Sequence, residues 1–68
     1  MIDVMDLAVG SLIRVDGHDL LVDAISALEP LVAVTTHDPH GTWIGGADRL
    51  FIMEAGDLVE LVRLPVGR

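Results

Sequence analysis

The sequence predicts an all-β domain, a small barrel or rolled sheet of five or six short antiparallel strands with little or no helix. Three observations carry this. Two β-rich runs, Leu12 to Val15 and Leu20 to Ile25, flank an Asp16-Gly17 pair, the strongest short-range hairpin signal a sequence offers. Turn residues recur at short intervals thereafter, at Glu29-Pro30, His37 to Gly41, Gly45-Gly46 and Glu54 to Asp57. No stretch combines a helical period with a cap. So many short strands in one small chain favour a closed or rolled sheet, which hides most strand edges.

The elements follow in order. Ile2, Met5 and Val9 are spaced like one helical face, but no convincing cap precedes them and Gly10 ends the pattern. In the hairpin, a type I′ turn at Asp16-Gly17 would set Val15 opposite His18, Arg14 opposite Asp19 and Ile13 opposite Leu20, whereas a type II′ turn at Gly17-His18 would shift the register by one residue on each strand and keep the same faces. One face then carries Ile13, Val15, Leu20, Val22 and Ala24 and is expected in the core. The other carries Leu12, Arg14, Asp19, Leu21, Asp23 and Ile25. That second face is half apolar, and in a lone domain it would leave Leu12, Leu21 and Ile25 in water.

Beyond Pro30, Leu31 to Thr36 reads as a strand and His37 to Gly41 as a turn. Thr42-Trp43-Ile44 reads as a short strand, Ala47 to Arg49 as a connector and Leu50 to Met53 as a further strand. Leu58 to Leu64 forms the last strand, stopped by Pro65; Val59 and Leu61 alternate there with Leu58, Val62 and Leu64, so both sides are apolar. Residues 1–68 are expected to form one domain, because 68 residues bury only about 60% of their unfolded surface in a single core.

Composition narrows the function. Hydrophobic residues make up 51% of the chain and the mean hydropathy is +0.58, an excess too large for so small a core to hide. Charges interrupt the chain too often for the ~20 apolar residues that span a bilayer, so no membrane is expected and the surplus points to a protein interface. Eleven acids stand against four arginines, with no lysine and a net charge of -7. Phosphate backbones would be repelled, which argues against nucleic acid. The amino-terminal Met1 to Asp6 segment carries acids where an export signal needs bases, and a cytoplasmic location is expected.

Catalytic parts are missing. There is no cysteine or lysine, Ser11 and Ser26 lack a nucleophile motif, and Gly45-Gly46 opens no phosphate loop. His18, His37 and His40 lie beside Asp19 and Asp38 and are the only metal candidates, but their spacing fits no closed site, so neither metal nor cofactor is expected. Trp43 has two readings, a core filler or a partly exposed anchor for a partner; Phe51 has the same two.

The run from Asp6 to Gly17, followed by Leu20-Leu21-Val22, resembles the opening hairpin of SH3-like and KOW-like barrels. The chain as a whole resembles small SH3-like barrel proteins of high-GC actinobacteria and their bacteriophages. The resemblance implies an SH3-like barrel, a bacteriophage origin and, for such a protein, host cytoplasm. It implies no activity, since this architecture serves many tasks. The chain departs from peptide-binding SH3 domains in having only two aromatic residues and from RNA-binding KOW domains in its acidity.

The expected function is therefore a non-enzymatic interaction module that self-associates into a homo-oligomer and binds a host or virion protein. Its interface would draw on Leu12, Leu21, Ile25, Trp43, Val59 and Leu61. A KOW-like nucleic-acid-associated module and a histidine-based metal or ligand carrier are the alternatives.

Overall fold

The computed structural model describes residues 1–41 and 48–65. Six antiparallel strands form one sheet: β1 (Ile2–Asp3), β2 (Leu12–Val15), β3 (His18–Leu28), β4 (Leu31–His37), β5 (Arg49–Glu54) and β6 (Leu58–Arg63), in the order β1-β6-β2-β3-β4-β5. The only helical element among the described residues is a 3₁₀ turn, Val4–Asp6. The all-β expectation therefore holds. The expected strand at Thr42 to Ile44 lies outside the described residues, as does Trp43. Arg49, expected in a connector, instead begins β5, and a strand at Ile2–Asp3 that the sequence reading omitted pairs with β6.

The sheet must roll. Three residues, Ala55 to Asp57, join β5 to β6, although the two strands are separated by three others in the sheet. Four Cα steps reach about 14 Å at most, whereas four strand spacings in a flat sheet would need about 19 Å. Curling brings the two strand ends together and wraps one face around a core of Val4, Leu7, Ile13, Leu20, Val22, Val32, Val34 and Val59. Val4 on the 3₁₀ turn helps fill that core, its N–H donating to the Asp57 carbonyl at 2.8 Å. Asp3 caps the turn by accepting from the Met5 N–H at 2.8 Å, the cap that the sequence reading did not find.

The β2–β3 hairpin takes the type I′ register, Ile13 opposite Leu20, Arg14 opposite Asp19 and Val15 opposite His18. Asp16 and Gly17 both have positive φ, 50° and 81°, as a type I′ turn requires. Beyond Val22 the expected faces fail. Val22 pairs with Thr36 but Ala24 pairs with Thr35, so Asp23 is the extra residue of a β-bulge. One inserted residue reverses the side-chain parity of everything after it. Ala24, expected in the core, is exposed, and Ile25, expected in water, packs against the core.

Candidate interaction surface

The same parity rule places each expected interface residue. Val59 and Leu61 share the inner face with Ile2 and Ile13, their register partners; Val59 is buried and Leu61 packs on the core. Leu12 is on the outer face but buried, because β2 is a central strand and Leu21 and Arg63 flank Leu12 in its row. Leu21 is half-buried in that row, and Ile25 has moved inward. The exposure expected of Leu12, Leu21 and Ile25 is thus corrected by strand position and by the bulge, and Val59 and Leu61, expected at an interface, face the core. Phe51 settles as a partly buried core filler, while Trp43 is outside the described residues.

The outer face has two halves of opposite character, and the Asp23 bulge divides them. On the β6, β2 and early β3 side the rows are polar. Arg14 Nε donates to Asp19 Oδ1 at 2.9 Å and Nη1 to Glu60 Oε2 at 3.4 Å. The hydrogen bond and charge of Asp19 raise the Arg14 guanidinium above its ordinary pKa. Arg63, Leu12, Leu21 and His37 form the next row. His37 Nδ1 lies 2.8 Å from both carboxylate oxygens of Asp23. An ionised carboxylate only accepts, so Nδ1 is the protonated nitrogen.

On the far side of the bulge, registers of β3, β4 and β5 align three outward rows: Leu28, Leu31 and Glu54; Ser26, Ala33 and Ile52; Ala24, Thr35 and Leu50. These nine residues include one charge. Leu28 is 80% exposed, Leu31 47%, Leu50 62% and Ile52 60%. Small residues lie between them, so the aliphatic chains stand over a flat floor. Beneath, Val32, Val34 and Thr36 alternate inward, all buried. The Thr36 hydroxyl is accommodated there by donating to the Arg49 carbonyl at 3.3 Å.

Sequence reasoning missed this patch, although one signal was present. Val32-Ala33-Val34-Thr35 alternates large with small or polar residues, which fixes the outward face of β4 and, through register, of β5. What hid it was the unbroken run Leu50 to Met53, which shows no alternation of its own.

The three histidines are dispersed. His18 is half-buried at the start of β3, His37 pairs with Asp23, and His40 is in an exposed turn where its N–H donates to Asp38 Oδ1 at 2.8 Å. Among the described residues no three of His, Asp or Glu gather as a metal site, no pocket is enclosed, and no helix is long and apolar enough to cross a membrane. Compared with known protein families, curated proteins and solved structures, the chain matches none.

Proposed function

We propose that the protein is a non-enzymatic interaction module that self-associates through the outer face of β3, β4 and β5. The observation that supports this is the nine-residue field with a single charge, in a chain where 22% of residues are charged and the net charge is -7. Two such acidic copies repel over most of their surface, and an uncharged field is where contact costs least. Four aliphatic side chains that are about half exposed or more gain by leaving water together. A host or virion partner, as the sequence resemblance implies, would compete for the same face.

Light scattering coupled to size exclusion tests the reading. The wild-type chain is expected to elute as a discrete oligomer, and Leu50→Asp with Leu31→Asp as a folded monomer. A wild-type monomer at every concentration would remove the proposal.

A further inference from the structure

The outer field alone is small. Three strands at about 4.8 Å and three rows at about 6.8 Å cover roughly 300 Å², against about 800 Å² per partner in a stable complex. A lasting contact between copies therefore needs more than these side chains. The adjoining feature is β5 itself, the last strand in the sheet order, with only β4 paired to it among the described residues.

Natural sheets blunt such an edge with charged side chains, proline, a bulge or a very short strand. β5 carries charges only at its ends, Arg49 and Glu54, and none from Leu50 to Met53. It runs six residues, Arg-Leu-Phe-Ile-Met-Glu, and its register with β4 is unbroken from Leu31–Glu54 to Thr36–Arg49, whereas β3 and β6 both carry bulges. An open strand edge presents a row of backbone donors and acceptors whose complement is another extended strand.

We infer that β5 pairs antiparallel with β5 of a second copy about a two-fold axis at Ile52, extending the sheet and bringing the Ile52 side chains of the two outer fields together at the seam. This rests on the self-association reading above. Two conditions limit the register, and the number of β5 residues kept paired selects among those left. Outer face must continue into outer face, so paired residue numbers must sum to an even value. Like charges must not oppose each other. An axis at Phe51 sets Asp48 against Glu54 of the second copy, twice over. An axis at Ile52 opposes Phe51 to Met53 and Leu50 to Glu54, with no like charges facing, and keeps five strand residues of each copy paired. Its net charge of -7 makes a second copy an acceptable occupant only along such a stretch, where Leu50 to Met53 carry no charge.

The chain has no cysteine, so single thiols report the geometry directly. Ile52 and Leu50 are similarly exposed, so neither substitution disturbs the core and both thiols collide at random equally often. At the axis, two Ile52→Cys residues face each other at roughly 4.5–5.5 Å between Cα atoms, within disulfide reach. Two Leu50→Cys residues are four positions apart along the strand, about 13 Å. Under mild oxidation Ile52→Cys is expected to become a covalent dimer and Leu50→Cys to remain largely uncrosslinked, with light scattering of the reduced proteins run alongside. A dimer by scattering in which Leu50→Cys crosslinks as readily, or neither variant does, overturns the β5 pairing and leaves self-association standing. A monomer by scattering overturns both.

Discussion

His37 on β4 holds Asp23 of β3 through both carboxylate oxygens at 2.8 Å, and Asp23 is the residue that the bulge leaves without a register partner. The hydrogen bond thus closes over the point where the sheet changes parity. Its two side chains are 34% and 36% exposed, so water competes for both groups. Asp23→Asn is expected to cost about 0–1 kcal/mol in urea unfolding. Deleting Asp23 is a different experiment. It sets Ala24 directly after Val22, so ordinary alternation keeps Ile25 and Ala27 inward and Ala24, Ser26 and Leu28 outward with the same β4 partners. Ile25→Asp is then expected to destabilise the deletion variant as it does the full chain; a deletion variant indifferent to Ile25→Asp would show that Asp23 is not the residue that sets the faces.

Core and surface aliphatics should separate cleanly by measurement. Ile13→Ala, at a fully buried site, is expected to lose about 2–5 kcal/mol, most of the stability a domain this size possesses. Ile52→Ala, at a site 60% exposed, should change monomer stability by no more than about 0.5 kcal/mol. Urea midpoints read at low protein concentration make the comparison.

Leu61 and Leu50 offer a matched pair of acid substitutions. Leu61 packs on the core, so Leu61→Asp is expected to destabilise the fold by about 2 kcal/mol or more. Leu50→Asp should leave the circular dichroism spectrum and melting midpoint of the monomer unchanged. Equal loss of folded signal in both would contradict the assigned faces.

Gly10 and Gly17 both have positive φ, 94° and 81°, but only one is crowded. A Cβ at Gly10 would lie 3.2 Å from the Pro65 Cβ, whereas one at Gly17 meets nothing within 4 Å. Gly17→Ala is expected to cost about 1 kcal/mol for conformation alone. Gly10→Ala adds the displacement of Pro65 and should cost about 1–3 kcal/mol in total. Thermal melts of the two variants, compared at one protein concentration, provide the test.

The sequence determined the local parts of this protein. Asp16-Gly17 marked the first hairpin and its two faces, and the positive φ at both residues in the structure selects the type I′ register over the type II′ one. Glu29-Pro30 and Glu54 to Asp57 marked turns by the same kind of local chemistry. Composition established that apolar residues exceed what so small a core can hide, but not which ones. That choice belonged to the tertiary structure. The bulge at Asp23 has no composition of its own and shows only in the pairing of β3 with β4. Once it is there, parity sends Ile25 inward and Ala24, Ser26 and Leu28 outward. Leu12 was hidden by being central, and Leu50 and Ile52 were exposed by lying in the terminal strand. Strand position and accumulated register are sums over the whole chain, and no local run of residues contains them.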